Sequence, residues 1–262
     1  MEVSRVEVSL EEVFQEASRR AVVLRNNSMN WHIEHIDETE STNLWLKERG
    51  GEENMVVVAD YQTAGRGCGT NTWESERGKN LTFSVLLHPA DIPAKQQFRI
   101  SQMVSVALCQ LLEQYVSDVS IKWPNDIYVG ERKICGMLIE NRLQGSVIRD
   151  CIIGIGLNVN QREFHSDAPN PVSLCQLVGH ELDREELLHD FLRRLESVSQ
   201  HETLSSDYEN RLFRRRKLVE YADKTGVFKA SLQRVMPDGR LMLRDEKNQE
   251  RTYAFKEVRF VL

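Results

Sequence analysis

The order of strand-like and helix-like segments constrains the fold of this 262-residue chain more than any other feature. Apolar residues alternate with small polar ones at 81–87, which indicates a strand, and recur at helical spacing at 98–116. Three strand patterns follow at 119–123, 126–129 and 134–140, and a fourth at 147–159. Because the segments do not alternate strictly as βαβ units, the order favours an α+β fold over a doubly wound sheet.

The two ends of the chain differ from its middle. Ser9 and Glu12 form a capping-box pattern before a short amphipathic helix, but residues 1–28 are too few for a domain. We interpret them as an N-terminal extension or an over-long start. After the basic run 214–217, short strands separated by turns predict a small all-β barrel. The predicted domains are therefore 29–212 and 213–262, with the basic run as a solvated linker.

Composition excludes several classes of protein. The net charge of -6 and pI of about 5.7 argue against binding nucleic acid through overall charge. The sequence contains no run of 18 apolar residues, so it predicts no membrane span. The five cysteines are scattered and form no C-x-x-C pair, which argues against a disulfide framework and a zinc site. The cysteine pattern favours a reducing compartment, and we expect a cytoplasmic protein.

The segment Y-Q-T-A-G-R-G-C-G-T-N-T-W is the first candidate for chemistry. Gly65, Gly67 and Gly69 leave backbone N–H groups free to approach an anion. Arg66 offers a planar fork of donors for phosphate or carboxylate, and Trp73 could stack on a flat ring. The G-K-[ST] ending of a Walker A motif is absent. A flexible surface turn is the alternative interpretation.

The segment I-K-W-P-N-D is the second candidate. Lys122 ends an apolar strand and is followed closely by a proline that stops the ladder. A lysine there could meet a phosphate or carboxylate oxygen as a compact charge. Asn125 and Asp126 follow where the strand turns towards a cleft. The alternative is a strand-ending turn whose lysine extends to solvent.

Two further segments are weaker when taken alone. Glycines inside the strand of G-I-G-L-N-V-N indicate close approach of a ligand or backbone, and Asn158 and Asn160 could contact a triphosphate or cation. A bulge before a loop explains that pattern nearly as well. In E-S-T-N, Ser41, Thr42 and Asn43 supply small hydrogen-bonding groups at a helix start. A helix N-cap without a ligand is the alternative there.

Together, E-S-T-N, Y-Q-T-A-G-R-G…W, K-W-P-N-D, K-I-C-G-M-L-I-E and G-I-G-L-N-V-N resemble the biotin protein ligases. The resemblance covers roughly residues 30–262. It implies a central mixed sheet with helices on one face, as in class II synthetase-like ligases, and a small C-terminal SH3-like barrel. It also implies an enzyme that forms biotinyl-5′-adenylate from biotin and ATP, with Mg²⁺ on the triphosphate. The biotin then passes to a lysine of a biotin carboxyl carrier protein.

The resemblance also implies roles for individual residues. The catalytic residues would be Lys122 and Arg66, and no protein metal site is assigned. Biotin would be contacted by Ser41, Thr42, Asn43, Gln62, Gly65, Arg66, Gly67, Cys68, Lys122 and Gly136. The nucleotide would be contacted by Arg66, Trp73, Lys122, Asn125 and Asn158.

The sequence departs from the family pattern at two places. Many relatives carry a second basic or amide residue after G-R-G, whereas this chain has Cys68 followed by Gly69. We therefore hypothesise a looser grip on the adenylate. Residues 1–28 cannot hold the helix-turn-helix domain that some relatives use as repressors, so a purely enzymatic role is expected. A lipoate or octanoate ligase and a non-catalytic biotin-binding regulator remain alternatives, and both a monomer and a homodimer are possible.

Overall fold

The structure is a computed structural model that describes residues 30–51, 54–89, 92–165 and 170–261. The predicted N-terminal extension and its short helix lie outside these residues. From Trp31 onward the described residues form one compact unit. None of the helices in these ranges is long and apolar enough to cross a membrane.

A seven-stranded mixed sheet forms the larger part of the unit, with strand order β1-β2-β3-β7-β6-β5-β4. Strands β1 and β2 are parallel, and every other neighbouring pair is antiparallel. The sheet confirms the predicted α+β class with a central mixed sheet. Its strands are β1 (His32–Thr39), β2 (Met55–Gln62), β3 (Leu81–Leu87), β4 (Val119–Lys122), β5 (Asp126–Val129), β6 (Arg132–Gln144) and β7 (Val147–Leu157).

The two faces of this sheet differ in the size of their side chains. Residues directly opposite one another across an antiparallel pair share a face. Ser84, Gly154 and Leu138 are aligned in this way on one face. Thr82, Gly156, Gly136 and Asp126 form the next row on the same face. Because these residues are mostly small or polar, this face leaves room above the sheet.

Large apolar side chains fill the opposite face and pack against helices. The helices are α1 (Thr42–Arg49), α2 (Phe98–Leu112), α3 (Leu174–Val178), α4 (Arg184–Ser199) and α5 (Leu204–Asn210). Phe83 meets Phe191 of α4 edge to face, with ring centroids 5.4 Å apart. Leu46 of the short helix α1 instead packs with Val57, Leu86 and Ile152. Since Leu86 lies two residues from Ser84, α1 covers the end of the face that carries the small residues.

A five-stranded antiparallel sheet follows, with order β11-β10-β9-β8-β12. Its strands are β8 (Leu218–Asp223), β9 (Gly226–Val235), β10 (Leu241–Asp245), β11 (Glu250–Tyr253) and β12 (Val258–Phe260). The predicted C-terminal β unit is thus present, with one strand, β8, that sequence patterning missed. We call residues 218–261 the barrel. Tyr221, Leu232 and Leu241 are fully buried inside it.

The basic run between the two sheets is not a solvated linker, and that interpretation was wrong. Arg214 pairs with Glu131 at 2.5 Å and Arg215 with Glu209 at 2.6 Å. The backbone on either side is also bound. Phe213 N donates to the carbonyl of Ile121 in β4, and Arg216 N donates to that of Leu232 in β9. The connector, residues 211–216, is therefore hydrogen-bonded to both sheets.

Candidate active site

A cavity of about 1000 Å³ lies above the small-residue face of the larger sheet. Its lining comes from the start of α1, the end of β2, the loop 63–73, the β4–β5 turn, the floor strands β6 and β7, and the barrel. It includes these predicted site residues: Ser41, Thr42, Asn43, Gln62, Arg66, Gly67, Cys68, Trp73, Lys122, Asn125 and Gly136. Segments far apart in the sequence are therefore gathered around one space.

One end of the cavity is lined by neutral polar groups that are bonded to one another. Ser84 Oγ lies 2.7 Å from both Thr42 Oγ1 and Asn43 Oδ1, and its single hydroxyl proton can be donated to either of them. Gln62 Oε1 accepts from Thr42 N at 2.8 Å. Ser41, Thr42 and Asn43 are each at most 3% exposed, so this network is held rigidly. We call it the amide end; its hydroxyls and amides can pair with a neutral polar head group.

Glycine is required on the cavity floor because side chains from above rest on it. A Cβ at Gly154 would overlap the side-chain amide of Asn43, and one at Gly156 would overlap the indole of Trp73. A Cβ at Gly136 would lie 3.0 Å from the same indole. Trp73 therefore covers the floor, and its ring can serve as a platform for a flat ligand ring. Its indole N–H is buried and has no hydrogen-bond partner among the described residues.

Arg66 is tethered to the amide end through an acidic residue. Its guanidinium lies 3.7 Å from Glu140 Oε1, and Glu140 Oε2 accepts from Asn43 Nδ2 at 2.9 Å. The Arg66 side chain is still 48% exposed. The long contact and the exposure leave most of its donors available for an anion.

Lys122 lies at the other end of the cavity, which we call the cationic end. Its Nζ donates to the hydroxyl of Tyr128 at 3.0 Å and sits 5.7 Å from the ring centroid of Phe260 in the barrel. Burial lowers the pKa of this ammonium below its ordinary value, although Asp126 acts in the opposite direction. Among the described residues no carboxylate forms an ion pair with Lys122. An incoming anion can therefore take that place.

A second lysine at this end was not identified from the sequence. Lys133 Nζ contacts Asp126 Oδ1 at 2.7 Å, lies 5.8 Å from the Trp73 ring centroid, and would be 3.4 Å from a Cβ at Gly136. It lines the cavity. The hairpin of β5 and β6 brings Lys133 there through a bulge after Ile127, which changes the register. A register change of this kind leaves no clear mark in the sequence.

Cys68 and Asn125 join the loop 63–73 to the β4–β5 turn. Asn125 Nδ2 donates to the thiol of Cys68 at 3.1 Å and to the Met137 carbonyl at 2.6 Å. Burial raises the pKa of the Cys68 thiol, and the carboxylate of Asp126 adds to the rise. Cys68 is therefore a neutral hydrogen-bonding group at neutral pH rather than a nucleophile.

Two predicted contact residues are placed elsewhere. Asn158 is 4% exposed, and its amide donates to the carbonyl of Val172 at 3.1 Å, so it holds a loop and does not line the cavity. Gly65 is also outside the lining. A Cβ at Gly65 would overlap the carbonyl of Trp73, and Trp73 N donates to the Gly65 carbonyl at 2.9 Å. Its small size lets the two ends of the loop meet.

The barrel supplies one wall of the cavity, which the sequence did not reveal. Trp123 Nε1 donates to the carbonyl of Gly239 at 2.9 Å, and its ring meets Phe255 edge to face at 6.4 Å. These contacts place the β11–β12 turn over the cationic end. The barrel residues that line the cavity are Ala222, Asp223, Lys224, Thr252, Tyr253, Phe255, Lys256, Glu257, Val258, Arg259 and Phe260.

Positive charge dominates the lining as a whole. Its cations are Arg66, Lys122, Lys133, Lys224, Lys256 and Arg259, against the carboxylates of Asp126, Asp223 and Glu257. Each carboxylate is already engaged: Asp126 by Lys133, Asp223 by Tyr253 and Thr225, and Glu257 by the backbone of Ala254. The cavity therefore combines an amide end with an excess of cations, which suits a ligand that is neutral at one end and anionic at the other.

Comparisons with known proteins agree with this geometry. Residues 33–158 match the biotin/lipoate A/B protein ligase family. The bifunctional ligase/repressor BirA of Bacillus subtilis is 34% identical over 178 residues, covering 64% of this chain and 54% of the relative. The biotin–[acetyl-CoA-carboxylase] ligase of Mycobacterium tuberculosis is 28% identical over 173 residues, covering 63% of each chain. The chain spans about half the length of the curated relatives it matches first.

A solved structure extends the similarity over the barrel. The biotin protein ligase from Aquifex aeolicus in complex with biotin and ATP superposes with a TM-score of 0.74 at 26% identity. The match covers 88% of this chain and 99% of that one. In its matched segment, its relatives and its fold, this chain is similar to the biotin/lipoate A/B protein ligase family.

Proposed function

We propose that the chain is an ATP-dependent biotin ligase that forms biotinyl-5′-adenylate and transfers the biotinyl group to a lysine of a biotin carboxyl carrier protein. The observation that carries the proposal is the single cavity with its amide end and its cationic end. Along β6, the step from Gly136 to Glu140 spans four residues, or about 13 Å at ~3.3 Å per residue. A ligand that fills both ends of the cavity would therefore be elongated, with a polar head and an acidic tail.

The amide end suits the bicyclic head of biotin. The head group carries a urea, which offers one acceptor and two donors and no charge. Thr42 and Asn43 supply hydroxyl and amide partners within a network that is already ordered, and Ser41 adds a buried hydroxyl next to them. Because those groups are fixed before the ligand arrives, little conformational entropy is lost on binding. The tail then runs over the floor towards Gly136, where the cations begin.

The cationic end suits the reaction of a carboxylate with a triphosphate. A carboxylate oxygen attacks the α-phosphorus of ATP, forming the acyl–phosphate bond as the bond to pyrophosphate breaks. Lys122 and Lys133 supply charge where the two anions meet, and Arg66 reaches in from the loop 63–73. Holding like-charged reactants together and stabilising the charge that builds up at phosphorus are the two contributions that the chain can make.

Trp73 and Asn125 suit the nucleotide. The exposed side of the Trp73 indole can stack on adenine while its other side rests on the floor. Mg²⁺ would arrive on the phosphates, which supply the oxygen ligands that this ion prefers. Among the described residues no cluster of three His, Cys, Asp or Glu side chains forms a protein metal site.

The second half-reaction uses the same acyl centre. The amine of the acceptor lysine attacks the acyl carbon, AMP leaves with its phosphate oxygen, and the amine loses a proton. We propose a carrier domain of a biotin-dependent carboxylase as the acceptor, supported by the carboxylase named for the Mycobacterium tuberculosis relative. We also propose a cytoplasmic location, supported by five cysteines that all carry free thiols.

Mass measurement of a carrier domain tests the proposal directly. The chain is incubated with ATP, Mg²⁺, biotin and a carrier domain, and the carrier should gain the mass of one biotinyl group. A carrier whose acceptor lysine is replaced by arginine is the matched control and should gain nothing. Parallel reactions with lipoate and octanoate distinguish the related ligases. A carrier that stays unmodified with biotin, or is modified only by lipoate or octanoate, would refute the proposal.

A further inference from the structure

The contact between Lys256 of the barrel and the loop 63–73 has no explanation in the proposed roles. A Cβ at Gly69 would overlap Nζ of Lys256 and lie 2.9 Å from its Cε. The Lys256 ammonium therefore packs against the backbone of Gly69, in space that a side chain at position 69 would occupy. Both residues have left-handed backbones, with φ 73° at Gly69 and φ 70° at Lys256.

The left-handed conformation is ordinary for glycine but unfavourable for lysine. The turn that imposes it is held by Glu257, whose carboxylate accepts from Ala254 N at 2.7 Å. Phe255 fixes the same turn against Trp123. The barrel thus holds a lysine in an unfavourable backbone conformation and directs it onto the loop.

The charge of Lys256 is not neutralised within the part of the chain that the structure describes. No carboxylate there forms an ion pair with it, and its side chain is exposed to the cavity. The nearby Cys68 thiol offers no negative charge at neutral pH, because burial raises its pKa. Lys224 and Arg259 line the same wall and likewise form no ion pair among the described residues. An ammonium without a counter-ion in a cavity is a ready partner for an anion.

We propose that Lys256 binds the β- and γ-phosphates of ATP and thereby makes the barrel part of the nucleotide site. The inference rests on the proposed function, because it assigns a residue to the same cavity. Lys122 and Lys133 lie on the sheet side of the cationic end, whereas Lys256 lies on the barrel side, at the outer rim of the loop 63–73. The α-phosphate must reach the carboxylate near the floor, so the outer phosphates extend towards the barrel.

Replacing the lysine by an uncharged side chain of similar length tests the charge. Lys256→Met should raise KM for ATP about tenfold, as expected for loss of one charge-assisted hydrogen bond, and should leave KM for biotin unchanged. Lys256→Arg should retain most of the wild-type KM for ATP. Lys229→Met is the control, because Lys229 is an exposed barrel residue that does not line the cavity. An unchanged KM for ATP in Lys256→Met, or an equal rise for ATP and biotin, overturns the proposal.

The glycine gives an independent test with the lysine intact. Gly69→Ala should displace Lys256 and raise KM for ATP, and adding Lys256→Met to it should cause little further rise, because the two changes remove one interaction. Gly78→Ala is the matched control: its φ is 70°, and a Cβ there meets nothing within 4 Å. If the KM for ATP of the double variant rises by the product of the two single increases, Lys256 does not act through its contact with Gly69 and the proposal is wrong.

Direct binding separates this inference from the proposed function. Calorimetry with a non-hydrolysable ATP analogue should show the loss of affinity in Lys256→Met whether or not biotin is the acyl substrate. If wild-type protein binds the analogue and makes no biotinyl-adenylate, the proposed function fails and the Lys256 assignment stands. Equal affinities of wild type and Lys256→Met for the analogue would remove the assignment alone.

Discussion

Replacing Lys122 by methionine should separate activity from stability. The substitution removes the ammonium and retains most of the side-chain volume. Loss of a preorganised charge at the reacting phosphate should lower the rate of adenylate formation by about 100- to 1000-fold, or ~3–4 kcal/mol in the barrier. The change in folding free energy is much smaller, because two opposing effects nearly cancel.

The first effect favours the variant, since burial already disfavours the Lys122 ammonium and lowers its pKa. The second opposes it, since the Tyr128 hydroxyl, in a residue that is 1% exposed, loses its hydrogen-bond partner at 3.0 Å. Leaving one buried hydroxyl unpaired costs about 1–3 kcal/mol. We therefore expect a net loss of ~1 kcal/mol, or about 2–4 °C in Tm for a unit of this size.

Adding Tyr128→Phe tests whether the unpaired Tyr128 hydroxyl causes the loss of stability. When both partners become apolar, no buried hydroxyl is left unpaired, so the double variant should melt at or above the single variant and remain inactive. Pyrophosphate release and differential scanning calorimetry measure the two properties. Adenylate formation within about threefold of wild type in Lys122→Met would refute its role. A double variant that melts below the single variant would refute the account of Tyr128.

The pH dependence follows from the same lysine. A lowered pKa means that the unfolded chain binds this proton more tightly than the folded one, so the charge destabilises the fold at neutral pH. That penalty should disappear as the pH rises from the folded-state pKa towards the ordinary value of 10.5. Adenylate formation should fall over the same interval, with an alkaline limb below 10.5, because the charged form is the active one. An alkaline limb that persists unchanged in Lys122→Met would assign the titration to another group.

Four further experiments probe the loop 63–73 and the floor. Arg66→Ala should raise KM for ATP and the rate of adenylate escape while Tm stays within about 2 °C, because the side chain is half exposed; a large fall in Tm would contradict this. Gly156→Ala should displace Trp73, lower stability by about 1–3 kcal/mol and weaken nucleotide binding, which Trp fluorescence and calorimetry can follow; an undisturbed fluorescence spectrum would count against it. Alkylation of Cys68 should be slow at pH 7 because burial raises its pKa, and peptide mapping would reveal a fast reaction if this is wrong. Cys68→Arg should slow adenylate escape if the missing cation loosens the grip, and equal escape rates would reject that hypothesis.

Local patterns predicted much of the fold. The strand at 126–129 was placed at its observed bounds, and the helix start predicted at Ser41–Asn43 is observed at Thr42. The helix predicted at 98–116 ends earlier, at Leu112, where it passes into a turn. Apolar spacing identifies which segments are helical, but terminal turns also carry apolar residues, so the spacing does not fix where a helix ends.

The site was predictable where its residues stand in contiguous motifs. Ser41, Thr42 and Asn43 are adjacent in the chain, and Lys122 and Asn125 share one turn, so their joint placement follows from short segments. The remaining parts depend on long-range packing. Lys133 reaches the cavity through a bulge, and Lys256 through the docking of the barrel. Asn158 has a side chain of the kind that often contacts ligands, but here its amide donates to the carbonyl of Val172.

The connector sets a limit on how the chain can be shortened. A fragment that stopped at residue 212, the boundary proposed for the catalytic segment 29–212, would lose the bond from Phe213 N to the Ile121 carbonyl. Among the described residues, only the bond from Ile121 N to the Arg211 carbonyl, at the frayed end of the chain, would still cover the outer side of β4. An uncovered strand edge invites pairing with another molecule. Such a fragment should precipitate or form soluble aggregates on expression, whereas one that retains the residues up to 261 should stay dispersed.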